Sequence, residues 1–409
     1  MLRAVATRAL VSVSFPARPA ARGSRGQRVA SLGAPRALAP RLVGGARRFA
    51  PGPSPQPPAV GAPRRGAFAA TPSSSRASAT DARDADAFEY SGRSSVYGDP
   101  ALYELAFGFR DFDAEAAFLA RLCRAHGSGA MRSVLELGAG PAWHSVSCVT
   151  TQGPCVAVAL DNAPAMLARA SRRALERGCE GSVAVVRGDM TAFDADAMKA
   201  AARALVPLAS NRADAGDSSN ASTEKHENDA SSFPGFDAVT VLLGTAAHLT
   251  TLEEAEACLR AAAAAAAPRG LVVLELEHPF DLFDGQLMDA HGDAWDREIE
   301  GGNGAKVLVE WGREGDAFDV ETQIVERTVG INVVDETGRP PRDATSAFAP
   351  VEETVRCRVF TAPEIALLGK LAGLEVVATF GDMDETVPLT HEDANNMVIA
   401  LRRTRTNAD

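Results

Sequence analysis

Short apolar runs alternate with Ala-rich stretches between positions 133 and 276, and this alternation leaves few folds open. Near-continuous apolar strands are typical of a parallel sheet that is covered on both faces. Helical stretches between such strands imply right-handed βαβ crossovers. The predicted strands are 133–137, 156–160, 183–186, 236–243 and 271–276, and the predicted helices are 163–177, 191–205 and 252–267. We therefore predict an α/β fold with a doubly wound, mostly parallel sheet.

The pattern changes in the last quarter of the chain. Apolar and polar residues alternate with a period of two over 306–360, which predicts an antiparallel β lid region. A helix at 362–371, a strand at 374–380 and a last strand at 396–402 follow. The segment 207–234 is polar and charged, so we predict a disordered surface insertion there. The folded domain is expected to span 88–409.

The first 80 residues contain thirteen Arg and no Lys, Asp or Glu. An Arg-rich, acid-free composition predicts an organellar transit peptide that is disordered. Its Ala/Pro/Ser-rich remainder favours the chloroplast, whereas a weak amphipathic face near the amino terminus suits the mitochondrion. A basic tail that binds an acidic partner is the other interpretation.

The rest of the chain is acidic. The net charge is −11 overall, which leaves −24 for residues 81–409. Such a body would repel nucleic acid and anionic lipid, so we expect neither nucleic acid nor a membrane as a partner. The six cysteines form no C-x-x-C pair, and His and Cys never cluster at metal-ligand spacing. We expect reduced, mostly buried thiols and no structural metal.

The strongest local signal is the run from Val134 to Pro141, ELGAG within it, where a strand ends in an acid, one apolar residue and G-x-G. Glycines at this place let the backbone turn tightly and approach a ligand at the carboxyl end of the sheet. The third glycine of a dinucleotide fingerprint is missing, because Ala142 and Trp143 stand there. Two further acids, Asp161 and Asp189, end the next two strands. The spacing favours Asp161 as the acceptor for ribose hydroxyls, with a cap on the following helix as the alternative, and for Asp189 an ordinary turn residue is the alternative.

Four motifs in order, ELGAG, LDNAPAML, GDM and VTVLLGTAAHL, resemble those of class I S-adenosylmethionine-dependent methyltransferases. The resemblance spans about residues 95–280, and FTAPEIALLGKLAGLEVVATFGD is similar to the final helix and strand hairpin of that family. It implies a Rossmann-like methyltransferase fold and S-adenosyl-L-methionine as cofactor. By resemblance, the methionine part of the cofactor is lined by Gly138, Ala139 and Gly140, with Glu136 beneath them. Asp161 would hold the ribose, and the adenine would be bordered by Asn162 and Met166 and contacted by Asp189 and Met190. The floor of the cofactor site next to the methyl group would be closed by Leu243 and Gly244. The alternative for Met166 is a simple core role. The alternative for Glu136 is a helix cap or a salt bridge.

Family members of this type carry aromatic residues and an Arg before the first strand. Here Tyr97, Tyr103 and Phe107 would form a wall beside the sulfonium, a cation that aromatic rings attract by roughly 1 kcal/mol. Arg110 would clamp the methionine carboxylate, or else form a surface bridge to one of its neighbours Asp111, Asp113 and Glu115.

Several residues are candidates for the general base that would remove a proton from the methyl acceptor. His248 and His278 follow predicted strands at the ligand-binding edge and are candidate general bases, with Glu277 and Asp281 as lesser candidates. A lone His is often structural. The LLGT run after the fourth strand differs from the Pro-Pro-Tyr run of enzymes that methylate adenine or glutamine amides, and Trp311, Phe318 and Phe348 suggest a partly apolar pocket. We expect a small-molecule acceptor, methylated at N or O; an NAD-dependent oxidoreductase and an inactive methyltransferase-fold binding protein are the alternatives.

Overall fold

A seven-stranded sheet forms the centre of the computed structural model, which describes residues 95–213, 233–278, 293–300, 302, 304–339, 348–391 and 394–404. In spatial order its strands are β11 (Leu374–Phe380), β12 (Asn396–Arg403), β5 (Ala266–Glu277), β4 (Phe236–Val241), β1 (Ser133–Leu137), β2 (Val156–Asp161) and β3 (Val183–Arg187). The five strands from β5 to β3 are parallel, and β12 runs antiparallel to both β5 and β11. The doubly wound, mostly parallel sheet is thereby confirmed.

Helices cover both faces of this sheet. They are α1 (Pro100–Phe107), α2 (Phe112–His126), α3 (Trp143–Thr151), α4 (Pro164–Glu176), α5 (Ala195–Ala213), α6 (Leu252–Ala265) and α7 (Ala362–Leu371). Residues of α5, α6 and α7 share one buried cluster with the strands, and residues of α2, α3 and α4 share the cluster on the opposite face. Reciprocal capping boxes, Thr251 with Glu254 and Thr361 with Glu364, fix where α6 and α7 begin.

A second, antiparallel sheet confirms the β region predicted at 306–360. Its strands are β10 (Val351–Arg358), β9 (Ile324–Val334), β7 (Lys306–Trp311) and β6 (Asp293–Glu298), and the short β8 (Phe318–Asp319) pairs with β9. β6 was not predicted, because DAWDRE lacks a run of apolar residues. Apolar residues of β7, β9 and β10 form a third buried cluster with Leu102 and Ala106 of α1. Helix α1 therefore joins the second sheet to the rest of the fold.

Several element boundaries differ from the prediction. β4 ends at Val241, because Leu243 and Gly244 adopt left-handed backbone angles with φ of 55° and 70°. α6 ends at Ala265, and the residues expected to stop the helix instead open β5. α5 extends to Ala213, so helix occupies the first part of the predicted insertion 207–234. Most of that insertion and all of residues 1–94, including the leader, lie outside the described residues.

All six cysteines are buried free thiols. Among the described residues, no helix combines the length and the apolar character that crossing a membrane requires. Within the same ranges, no three His, Cys, Asp or Glu side chains are grouped so that they could hold a metal ion.

Candidate functional site

The glycine loop between β1 and α3 has left-handed backbone at Gly138 and Gly140, with φ of 62° and 52°. The two glycines face different surroundings. A Cβ at Gly138 would overlap the Cγ2 methyl of Thr245, whereas a Cβ at Gly140 would meet nothing within 4 Å. The loop is tied to β2 because the Ala139 N–H donates to the Leu160 carbonyl at 2.9 Å. Gly138 is thus required for packing, and Gly140 leaves open space beside the loop.

Asp161 ends β2 and is bonded to this loop. Its Oδ2 accepts the Gly140 N–H at 2.7 Å, and its Oδ1 accepts the Ala163 N–H at 2.8 Å. The carboxyl is 8% exposed; burial raises its pKa, although these backbone donors act in the opposite direction. Each carboxylate oxygen has a second lone pair that can accept another hydrogen bond. The bond to Ala163 is a local turn contact two residues along the chain; Ala163 itself is the N-cap of α4, which has no side-chain cap, so the capping role that was the alternative for Asp161 is not present.

Other residues of the predicted site have mixed surroundings. Leu243 and Gly244 form the left-handed turn after β4, next to Thr245. Asn162 is exposed, whereas Met166 is 1% exposed and so has the core position that was its alternative.

Asp189 is exposed, and its Oδ1 accepts both the N–H and the hydroxyl of Thr191 at 2.7 Å, as in an ordinary turn. Met190 is partly buried and packs on the cluster of α5, α6 and α7.

Glu136 lies beneath the glycine loop and is fully engaged by α3. Its Oε2 accepts the N–H and hydroxyl of Ser145 at 2.9 and 2.5 Å, and Oε1 lies 3.1 Å from Nδ1 of His144. The other ring nitrogen of His144 lies 2.7 Å from Oε2 of Glu115. Burial alone would lower the pKa of His144, but hydrogen bonds and charges of Glu115 and Glu136 outweigh it and raise the pKa to about 9. His144 is therefore a buried imidazolium between two carboxylates.

Arg110 continues this set of ionic contacts. Its Nε and Nη1 donate to Glu115 and Glu275 at 2.6 Å each. The second oxygen of Glu275 accepts the Leu243 N–H at 2.9 Å. Burial opposes the charge of Arg110, but the two carboxylates raise its pKa further above the ordinary value. The bridge to Glu115 that was one alternative is present, but it is largely buried rather than on the surface.

The sequence analysis gave no role to His144 or Glu275. A charge inside the apolar run LVVLELE was the available signal for Glu275. His144 carried no comparable signal, because its partners are contributed by β1 and α2.

Tyr97 and aromatic side chains of α1, α2 and α3 form a continuous wall. Ring centroids of Tyr97 and Tyr103 lie 5.9 Å apart, Tyr103 stacks on Trp143 at 5.6 Å, and Trp143 stacks on Phe112 at 4.7 Å. Burial, with the nearby charge of Asp161 as a further cause, raises the pKa of both Tyr97 and Tyr103. The predicted wall therefore forms near Asp161, with Trp143 and Phe112 as additional members.

The predicted member Phe107 lies 4.8 Å from Tyr103 and reaches Trp295 and Trp311 of the second sheet at 5.7 and 5.9 Å. It thus extends the wall toward that sheet.

Comparison with known proteins bears on the fold. No family model matches the sequence, and no curated protein matches it either. Among solved structures, the CcbJ methyltransferase from Streptomyces caelestis is 17% identical, with a TM-score of 0.50 over 76% of this chain and 99% of that chain. An S-adenosylmethionine-dependent methyltransferase from Clostridium acetobutylicum is 11% identical, with a TM-score of 0.50 over 75% and 97%. The chain shares the fold of these two methyltransferases.

In this methyltransferase fold the two candidate bases have different partners. His248 ends the short 3₁₀ turn Thr245–His248, and its Nε2 lies 2.8 Å from the Tyr97 hydroxyl. Burial lowers the pKa of His248 below its ordinary value, so the ring is neutral at pH 7. His278 follows β5, and its Nε2 donates to the Leu389 carbonyl at 2.8 Å. The structure thus brings His248 to the aromatic wall and ties His278 to the backbone.

Of the two lesser candidates, only Glu277 lies within the described residues, and its carboxylate is engaged in an ion pair. Glu277 pairs with Arg327 of β9 at 2.6 Å. Asp281 lies outside the described residues.

Proposed function

We propose that this protein transfers a methyl group from S-adenosylmethionine to an N or O atom of a small-molecule acceptor. The observation that carries the proposal is the Asp161 carboxylate, bonded to the Gly140 N–H at 2.7 Å beside a glycine loop with open space. A carboxylate at the tip of the second strand suits the two ribose hydroxyls of a nucleoside. The fold, which is that of two solved methyltransferases, supports the same conclusion.

The surrounding residues fit the remaining parts of S-adenosylmethionine. Arg110 uses Nε and Nη1 on Glu115 and Glu275, and within the described residues its Nη2 makes no hydrogen bond. That nitrogen is the donor we assign to the methionine carboxylate. Tyr97 and Tyr103 would face the sulfonium, as the sequence analysis proposed, because aromatic faces attract cations. S-adenosylmethionine, when bound, supplies a methyl carbon that is activated for displacement.

The remaining task of the protein is to hold the acceptor and remove its proton. Fixing the acceptor in line with the methyl group contributes much of the rate, because reactants that are already oriented avoid an entropic cost. We assign the removal of the acceptor's proton to His248, which is neutral at pH 7 and hydrogen-bonded to Tyr97. His278 is the second candidate, with Nε2 occupied by the Leu389 carbonyl.

Two features support a methyltransferase over an NAD-dependent oxidoreductase. The antiparallel hairpin of β11 and β12 departs from the six parallel strands of a dinucleotide-binding sheet. Trp143, 6% exposed, stacks between Phe112 and Tyr103 close to where a dinucleotide fold places its third glycine.

Since residues 81–409 carry a net charge of −24, a small molecule is favoured over nucleic acid as acceptor.

The proposal is tested with S-adenosylmethionine labelled in its methyl group, incubated with the full chain and an organellar extract. We expect the label in the small-molecule fraction. Asp161→Asn, which removes a charged acceptor, should reduce transfer at least roughly tenfold. The matched control is Asp196→Asn, because Asp196 is exposed and its carboxylate pairs only with Lys199 among the described residues.

Transfer that is unchanged in Asp161→Asn, or label found only in nucleic acid, would contradict the proposal. Binding of S-adenosylhomocysteine without transfer to any fraction would instead favour the inactive binding protein.

We further propose import into the chloroplast, with the mitochondrion as the alternative. The acid-free, Arg-rich composition of residues 1–80 supports a targeting role. A fluorescent protein fused behind these residues should enter plastids in plant cells, and fluorescence that stays in the cytosol would overturn both assignments.

A further inference from the structure

A buried series of five charged side chains connects two sides of the proposed cofactor site. We call it the ion chain; its members are Glu136, His144, Glu115, Arg110 and Glu275, joined in that order. At one end Glu136 holds the N–H of Ser145, in the first turn of α3 after the glycine loop. At the other end Glu275 holds the N–H of Leu243, in the turn after β4. The first turn of α3, which follows the glycine loop, and the turn after β4 are therefore linked through these five side chains.

The backbone at both ends is held in an uncommon conformation. Ala142, just before α3, and Leu243 have φ of 57° and 55°, in the left-handed region that disfavours residues with a side chain. Such residues persist only where their surroundings determine the conformation. Leu243 is bonded to the ion chain directly, and Ala142 lies two residues before His144. The ion chain thus stands beside both strained turns that border the proposed site.

Stability alone is a weak reason for these groups to be buried. Replacing buried ion pairs with apolar residues is often neutral or stabilising, whereas removing one partner is costly. Glu136, His144 and Glu275 are each 4% exposed or less. A hydrogen-bonded series, in contrast, fixes direction as well as distance, and direction is what a carboxylate-binding guanidinium needs.

We propose that His144 is a positioning residue that acts through Glu136 on the first turn of α3, which follows the glycine loop, and through Glu115 on Arg110. An imidazolium donates from both ring nitrogens, so one side chain can satisfy two carboxylates at once, which a neutral side chain with a single donor direction does not do. His144 would then determine where the Nη2 of Arg110 points, the nitrogen that has no hydrogen bond in the described part of the chain. The inference rests on the proposed function, because the group that Arg110 receives is the carboxylate of S-adenosylmethionine.

The test measures the affinity of the full chain for S-adenosylhomocysteine by calorimetry, with unfolding followed separately. We expect His144→Gln to weaken binding at least roughly tenfold while cooperative unfolding is retained. Arg110→Met should weaken it to a similar extent. His144→Gln in the Arg110→Met background should add less than about threefold, because both substitutions interrupt the same chain. Residues that act independently would instead give multiplied losses.

A control separates positioning from general loss of stability. Asp237 accepts hydrogen bonds from Ser133 and the N–H of Arg132 at the amino ends of β1 and β4, the opposite edge of the sheet. Asp237→Asn should lower stability but leave the affinity within about twofold. If His144→Gln does not fold, Glu275→Gln interrupts the other end of the chain and is expected to give the same tenfold loss.

Wild-type affinity in a folded His144→Gln or Glu275→Gln protein would overturn the positioning role, as would losses that multiply with Arg110→Met. Failure of the proposed function is a separate observation, because the unmodified protein would then show no affinity for S-adenosylhomocysteine at all.

Discussion

Gly138 and Gly140 share a left-handed backbone but should respond differently to the same substitution. Gly138→Ala places a methyl group into Thr245, so we expect it to lower the free energy of unfolding by about 2–4 kcal/mol. Gly140→Ala meets only the backbone cost of about 1–2 kcal/mol, but its methyl group enters the open space assigned to the cofactor. Urea unfolding and the Kd for S-adenosylhomocysteine distinguish the two.

Of the two variants, Gly140→Ala is expected to show the larger loss of affinity for S-adenosylhomocysteine. Gly138→Ala is expected to show the larger loss in the free energy of unfolding. Gly138→Ala with Thr245→Ser is the control, since it removes the overlapping methyl group and should recover part of the stability. Unchanged affinity in Gly140→Ala would show that the cofactor lies elsewhere.

His248 gives the reaction a predictable dependence on pH. Burial lowers its pKa below the ordinary 6.5, so the ring is already neutral at pH 7. The rate of methyl transfer should be constant above that value and fall only as the pH drops through the lowered pKa, where His248 becomes protonated. His248→Asn should reduce the rate at least roughly tenfold and remove this acid limb. His278→Asn is the matched variant, and a loss confined to it would move the base to His278.

At the scale of elements, α1 connects the two sheets across the proposed site. Glu104 pairs with Arg169 at 2.8 Å and with Arg173, both on α4. On the other side, the indole N–H of Trp295 and the guanidinium of Arg297, both in β6, donate to the α1 carbonyls of Ala106 and Leu105 at 3.1 and 3.0 Å. Since Tyr103 of α1 lies near Asp161, release of a bound nucleoside should require α1 to move.

Glu104→Gln therefore tests whether α1 retains the cofactor. Partly exposed ion pairs contribute little to stability, so we expect a loss of about 1 kcal/mol or less in the free energy of unfolding. Dissociation of S-adenosylhomocysteine, measured by stopped flow, should accelerate severalfold because α1 opens more often. Glu256→Gln, which removes an exposed pair with Arg260 on α6, is the control. An unchanged dissociation rate in Glu104→Gln would contradict a retaining role.

Elements defined by local pattern were predictable from the sequence, and contacts between distant elements were not. β1, β2 and the hairpin of β11 and β12 follow from apolar periodicity, and the glycine loop follows from G-x-G. The contact of Arg110 with Glu275 joins residues 165 positions apart, which no local pattern encodes. Among the described strands β6 pairs with β7 alone, and it contains charged residues, so its position in the second sheet determines its conformation.

At the scale of the whole molecule, the arrangement accounts for why the site forms where it does. The parallel sheet brings the glycine loop, Asp161 and the turn at Leu243 to one edge, since the strands that carry them are neighbours. The second sheet and α1 pack together and bring Tyr97 to His248. The proposed function requires both parts of the molecule: the edge of the parallel sheet would hold the cofactor, and the second sheet with α1 would complete the place for the acceptor.

Direct titration of the full chain with S-adenosylhomocysteine, beside NAD and beside Asp161→Asn, tests the central claim most directly. The account predicts saturable binding of S-adenosylhomocysteine at one site, at least roughly tenfold weaker binding in Asp161→Asn, and no binding of NAD. Binding of NAD in preference to S-adenosylhomocysteine, or equal affinity of Asp161→Asn and the unmodified protein, would contradict it.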